Sequence, residues 1–489
     1  MLNAVLLPLA VVIAVALVMI ASYGGRDIAI FVSVLTVLTI AAFASLELGV
    51  MALIVAACFD GFLKGLSPGW HTQLLKDYLL GVCLLRWGWL SVLGHPRRSV
   101  RHPLSVMILL FMGWALLQLL NARNPSLMLA LTNLRTWVIW LPVFFLAYDY
   151  LASRAQVERF LRFIFPLMTP LAIYGIVQYQ VGLDHLFALG EGFDVYQRSQ
   201  YATATYELEV RPPSTMISAH TFAAACVMAI CLGIGAVAYF RGRRHIQLPI
   251  VVSMPLLGVA LLVTAVRNAY ASVAVGVLVL LVLLRRPGLV LVTAAVGAVA
   301  FYGANELTGG RTFERLNTII SQPEYTRARI VGPWGTALYW AGRRPLGAGY
   351  SSGAGRGRLL ENLEPEAVRP EQRTVWAENE YARALIELGI PGFLLFCAML
   401  AGVIWHSLQA YRRCEDPRDR WLIAGIIAAE ASLLARLLVG SALYGWPEAI
   451  MFWCYVAIAL RLPEIEAQEQ GQVLTPLMAT RPQQALASR

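Results

Sequence analysis

Three short stretches of this sequence set charged side chains where they could act on a phosphate ester or a glycoside. The first, Arg211-Pro-Pro-Ser-Thr-Met-Ile-Ser-Ala-His220, leads into an apolar run. The second, Thr264-Ala-Val-Arg267-Asn268-Ala-Tyr270, sets an arginine between two apolar runs. The third is Ala377-Glu378-Asn379-Glu380-Tyr381, followed by Ala382-Arg383 and Gly389-Ile-Pro391-Gly392. A guanidinium stays charged at any working pH and matches phosphate oxygens with a two-pronged hydrogen bond. One arginine from each of the first two stretches could neutralise a lipid-linked diphosphate as it departs, and stabilising developing charge is usually the largest single catalytic effect. An ionised Glu378 or Glu380 could take the proton from an attacking sugar hydroxyl. No acidic pair has metal-ligand spacing, so neither a metal nor a cofactor is expected.

Each of these residues also has a plainer reading. An arginine at the end of a span commonly snorkels to lipid headgroups, and Arg211 before two prolines can simply end a loop. Glu378 and Glu380 precede an amphipathic segment and can serve as helix N-terminal charges. His220 fits a hydrogen-bonded position inside a bundle. Arg86, Glu430 and Arg436, which fall within apolar runs, either pair there or line a cavity.

The elements that hold these stretches are helices in lipid. Of 489 residues 58% are hydrophobic and 14% charged, against roughly a quarter charged in a soluble domain. Apolar segments of about 20 residues, enough to cross the hydrocarbon layer as a helix, recur near 4–23, 28–45, 48–63, 77–94, 104–121, 137–152, 160–180, 217–240, 247–266, 269–285, 288–305, 391–409, 420–438 and 443–462. The expected fold is therefore an all-α polytopic integral membrane protein of about 12–14 transmembrane helices. The run Leu6–Ala21 lacks a basic flank and is expected to be a retained span, not a signal peptide.

Five basic loops fall on one side if the spans are counted this way: Arg97, Arg98 and Arg101; Arg154, Arg159 and Arg162; Arg241, Arg243 and Arg244; Arg285 and Arg286; Arg412, Arg413, Arg418 and Arg420. Short basic loops are retained in the cytoplasm, so that side and both termini are expected to be cytoplasmic. The organisation then reads as an N-terminal bundle (1–180), an external loop (181–218), spans (219–305), a large external loop carrying short helices (306–390), C-terminal spans (391–462) and a disordered tail (463–489). A net charge of +10 needs no nucleic acid to explain it. Six of the seven cysteines lie in apolar runs and only two lysines occur, Lys64 and Lys76; neither disulfides nor a metal site follow from the cysteines.

In their order, and with the long external loop before the third, the three stretches resemble the O-antigen ligase and polysaccharide polymerase superfamily. The loop contributes Arg329-Ile-Val-Gly-Pro-Trp334-Gly-Thr-Ala337-Leu338 and Arg344-Pro345-Leu346-Gly347-Ala-Gly349-Tyr350 to that resemblance, and Glu378-Asn379-Glu380-Tyr381 with Gly389-Ile-Pro391-Gly392-Phe-Leu-Leu closes it. Phe59-Asp60-Gly61-Phe62-Leu63-Lys64, followed by Lys76-Asp77, looks like a phrase of exopolysaccharide-type members. The resemblance implies a bacterial inner-membrane enzyme that moves glycan from undecaprenyl diphosphate to a sugar hydroxyl acceptor on the periplasmic face, with a chain-length-regulating partner left open. It puts Arg211 and Arg267 on the diphosphate and Glu378 at the catalytic position. It also implies substrate contacts for His220, Arg329, Arg344, Asn379, Glu380 and Tyr381. Two departures stand out: Glu378 occupies a position where ligases often carry histidine, and Val266 and Asn268 flank Arg267 where Ser and Gly are commoner. The first favours a polymerase over a ligase acting on lipid A–core. A transporter of glycolipid or small anions and a non-catalytic export scaffold are the competing classes.

Overall fold

The structure is a computed structural model, and it describes Ser33 and residues 35–66, 70–124, 126–182, 184–187, 192–193, 211–285, 287–321, 323–350, 379–440, 442–443 and 445–471. The regular elements are helices throughout, with no strand among the described residues, as the sequence predicts for a chain whose solvent is lipid. Each predicted span from 48–63 onward overlaps a helix; of 28–45 the stretch Leu35–Ala44 is helical, and the first span lies outside the described residues.

Among the described residues seven helices are long and apolar enough to cross a membrane: Pro103–Leu120, Leu127–Tyr150, Arg154–Val181, Ala219–Tyr239, Arg244–Val263, Arg267–Leu284 and Gly389–Arg413. The pair Leu46–Cys58 and Asp60–Leu66, bent by 58°, makes an eighth if counted as one broken span. Trp70–Val92, Pro417–Arg436 and Glu448–Glu469 match a bilayer in length but carry several charges each, of which Lys76, Asp77, Asp419 and Arg461 form ion pairs within the bundle.

Local sequence sets the helix ends. Ser153 and Gln156 form a capping box at the start of Arg154–Val181, and Ser218 accepts from Thr221 N to open Ala219–Tyr239. Asn379 accepts from Ala382 N to open Glu380–Glu387. Each satisfies an amide that the helix leaves without a partner. Prolines lie inside Arg154–Val181 and Arg244–Val263, and the two helices are joined beside them: Ser253 Oγ donates back to Pro249 O at 2.6 Å, and the Thr169 and Ser253 hydroxyls lie 2.6 Å apart.

Successive helices alternate in direction, and side-chain bonds fix which ends meet. Arg159 pairs with Glu47, Asp149 accepts from Trp87 Nε1 and from Ser99, and Arg154 pairs with Asp419 and Glu469. Arg243 pairs with Glu158 and Tyr411 Oη donates to Leu283 O, so the described residues of the five basic loops gather at one end of the bundle. At the other end Gln178 reaches Ser214 O, Gln180 reaches Leu307 O and Gln118 reaches Leu346 O.

The helix Glu448–Glu469 fills the core, and it continues past Leu462 through Pro463, where the sequence suggests a disordered tail. Tyr148 donates to Glu464 at 2.5 Å, the backbone amides of Glu415 and Asp416 donate to Glu466, and Arg154 pairs with Glu469. Those partners, distant in sequence, hold the extra turns in place.

Candidate functional site

At the end opposite the basic loops, the bend at Phe59 opens a gap in the bundle that residues 211–218 fill. Thr215 Oγ1 donates to Cys58 O at 2.7 Å and Phe62 N donates to Thr215 O at 2.9 Å. Ser214, in left-handed backbone, donates from Oγ to Leu171 O. Gly61 lies so close to Met216 O that any Cβ there would overlap it. Arg211 thus enters the bundle on a loop that is hydrogen-bonded on both sides.

The break between Arg244–Val263 and Arg267–Leu284 lies at the same end. Ala265 has a φ of 54°, Thr264 is buried, and Tyr270 Oη donates back to Leu262 O at 2.5 Å. The two halves are thereby joined and Arg267 becomes the first residue of its helix. The Arg211 guanidinium is close enough to Tyr270 to interact with it electrostatically. Tyr270 stands three residues after Arg267, one turn along a shared face. Arg211 and the start of the Arg267 helix therefore come together although 56 positions separate the two arginines.

Residues 437–447 join these stretches to the third one. Asn268 Nδ2 lies beside Gly440, and Arg436 Nη2 donates to His220 O at 2.6 Å. Glu380 N donates to Leu437 O, and Glu380 Oε2 accepts from Ala442 N at 2.9 Å and Leu443 N at 3.2 Å. Burial pushes the Glu380 carboxyl above its ordinary range, against the opposing pull of Arg383, the two amides and Arg436. Glu448 is buried within electrostatic reach of Arg436 and Glu380.

The remaining expected site residues are distributed unevenly. Glu378 lies outside the described residues, as does the side chain of Arg329. Asn379 is buried as a helix cap and Tyr381 Oη donates to Leu434 O, so both hold the third stretch against its neighbours. Arg344 stacks on Trp340 at 4.5 Å. His220 is exposed at its side chain, and its carbonyl is the group Arg436 binds.

The run Pro345–Tyr350 is a seam between helices. Ile390 N donates to Pro345 O, Ala348 N to Ile386 O, and Tyr350 Oη to Ala115 O. Gly347 and Gly389 meet here backbone to backbone at φ of 110° and 72°, conformations that disfavour a side chain. Arg383 and Glu387 pair at 3.2 Å, with Trp137 Nε1 donating to Glu387 at 2.7 Å.

Sequence reasoning missed the role of 437–448, which was visible only as an isolated Arg436 in an apolar run. It also missed that Asp60, Lys64 and Lys76 form one buried ion cluster; the rarity of lysine was the available signal. A cavity of about 310 Å3 lies at the opposite end, lined by His102, His406, Arg413, Glu464 and Glu466 among others. It is remote from the arginine stretches and belongs to the basic side.

A search of curated proteins gives no match. Residues 252–397, which include the Arg267 stretch, the seam and Asn379–Tyr381 but not Arg211, match the family model described as O-antigen ligase. Over that stretch, about a third of its length, the chain is similar to the O-antigen ligase family.

Proposed function

We propose that this chain is an inner-membrane glycosyltransferase that extends undecaprenyl-diphosphate-linked polysaccharide repeats on the periplasmic face, without a metal. The match of residues 252–397 to the O-antigen ligase family supports glycosyl transfer by a multi-pass membrane protein. The finer reading is carried by one observation: Arg211 lies within electrostatic reach of Tyr270, on the helix opened by Arg267, at the end away from the basic loops. Short basic loops mark the cytoplasmic side, so this pairing faces the periplasm, where lipid-linked repeats are joined.

In this mechanism Arg211 and Arg267 hold the diphosphate and take up the charge that grows on it as the anomeric carbon–oxygen bond breaks. They supply the positive charge a metal would otherwise bring. Glu378 accepts the proton of the attacking sugar hydroxyl, and displacement from the opposite side inverts the anomeric centre. Glu380 has a positioning role in this reading, one oxygen of its carboxylate holding the amides of Ala442 and Leu443.

The test is reconstitution of the purified chain in liposomes with undecaprenyl-diphosphate-linked repeats, following product length. A ladder that survives chelator and is lost in Arg267→Ala and Glu378→Gln supports the reading. Transfer only when lipid A–core is added makes the protein a ligase. A broken span bearing buried charges is also how transporters hold ions, so translocation of lipid or anion without transfer replaces the enzyme reading.

A further inference from the structure

We propose that Asp60 and Lys76 are positioning residues for the transfer site, carrying the location of the broken span to residues 437–447 and on to Glu380. Lys64 and Lys76 are the two lysines of the chain, and both bind one carboxylate. Lys64 Nζ lies 2.8 Å from Asp60 Oδ2, and Lys76 Nζ meets Asp60 Oδ1. All three residues are buried. Ionisable groups held inside a membrane bundle are costly and mark function by default. Here two cations share a single carboxylate.

The two lysines differ in what they connect. Lys64 stands one turn after Asp60 on the same short helix, so its pair staples that helix to itself. Lys76 reaches Asp60 from the helix Trp70–Val92, across the bundle interior. Its ammonium also lies 4.7 Å from the ring centroid of Trp446, a cation–π contact. Asp77, the next residue, pairs with Arg135 at 2.6 Å and ties the same turn of helix to Leu127–Val138.

Trp446 closes the segment whose Ala442 and Leu443 amides hold the Glu380 carboxylate. Gly445, next to Trp446, donates from N to Ala442 O at 3.2 Å, so a series of links runs from the bend at Phe59 to the third stretch: Asp60, Lys76, Trp446 with Gly445, the Ala442 and Leu443 amides, Glu380. Residues 211–218 are fastened to the same bend through Cys58 and Phe62. The broken span thus fixes the arginine loop directly and the Glu380 helix through Lys76. The phrase Phe59–Lys64 with Lys76-Asp77, which the transfer chemistry leaves unused, acquires a role as the frame both halves are measured against.

The functional consequence rests on the glycosyl-transfer reading; the structural one does not. Two measurements on the full chain in liposomes separate them: turnover of undecaprenyl-diphosphate-linked repeats, and hydrogen–deuterium exchange of peptides covering 437–447 and 379–387. Lys76→Met should speed exchange in both peptides and lower kcat by about tenfold while KM for the lipid donor stays within about threefold. Lys64→Met should leave exchange and turnover near those of the wild type. Trp446→Leu breaks the series at its next contact without leaving a charge unpaired, and should reproduce the Lys76→Met pattern even if that variant is poorly folded. The proposal is overturned if the two lysine variants behave alike, or if 437–447 exchanges at the wild-type rate in both Lys76→Met and Trp446→Leu. A wild type that transfers no sugar removes the function reading, while the exchange rates still decide whether Lys76 positions the segment.

Discussion

Arg436 Nη2 donates to the main-chain carbonyl of His220 at 2.6 Å, joining the end of one buried helix to the first turn of another. The same guanidinium acts on Glu380 and Glu448, so one cation serves both the arginine stretches and the glutamate stretch. Removing it leaves buried carboxyls without that cation, which costs more than the bond itself. Arg436→Gln should lower kcat/KM by roughly ten- to hundred-fold, the rate equivalent of one charged hydrogen bond of ~1.5–3 kcal/mol. Turnover by folded protein, checked against its melting temperature, measures this.

Arg267 tests the chemistry more directly. If its contact with the diphosphate strengthens as the bond breaks, Arg267→Ala should lose ~3–4 kcal/mol of transition-state stabilisation, by analogy with an oxyanion-hole donor. That is a fall of a few hundred-fold in kcat, with donor KM changed far less. Arg267→Lys keeps the charge but not the planar fork, and should fall between the two. Steady-state kinetics on the three proteins distinguishes this from a headgroup anchor, for which lysine would serve as well as arginine.

Glu380 separates positioning from proton transfer. Glu380→Gln keeps an oxygen for the Ala442 and Leu443 amides and removes the carboxyl that burial drives toward its neutral form. It should therefore keep most of its activity. Glu380→Ala strands two buried amides, at a cost of ~1–3 kcal/mol each, and should lower both the melting temperature and turnover. A large loss in Glu380→Gln at unchanged stability would instead give Glu380 a part in proton transfer.

At the opposite end, His102 caps its helix by accepting from Leu104 N through Nδ1, which requires that nitrogen to be unprotonated. Burial, with His406 and Arg413 nearby, depresses its pKa from 6.5 to about 3. A depressed pKa means the unfolded chain binds the proton more readily, so this contribution is present above pH 6.5 and is lost as pH falls toward 3. Melting temperature in detergent should drop between pH 7 and pH 4. His102→Asn, which caps without titrating, should flatten that drop.

The helices were legible because apolar runs of spanning length have few alternatives in lipid. Arg211 and Arg267 were legible as cations at the ends of such runs, and the structure brings Arg211 to Tyr270, one turn beyond Arg267. Legibility failed where meaning depends on a distant partner. Asp60 and Lys76 gain their role from Trp446, and Glu380 reads equally well as base or as helix-start charge until Ala442 and Leu443 are seen on its carboxylate. The helix after Leu462 failed for the same reason: its glutamates look solvated until Tyr148, Arg154 and the 415–416 backbone are found beside them.

The core helix Glu448–Glu469 is buried from Glu448 through Leu462 on every face, yet it is synthesised after all of the helices packed around it. Those helices must enter the bilayer with its slot still open, its walls covered in the meantime by lipid or by an insertion factor. Assembly of this protein is then a late, lateral closing of a ring around a latecomer, and ribosomes stalled before residue 448 should hold a nascent chain whose inward-facing cysteines still react with lipid-soluble thiol reagents.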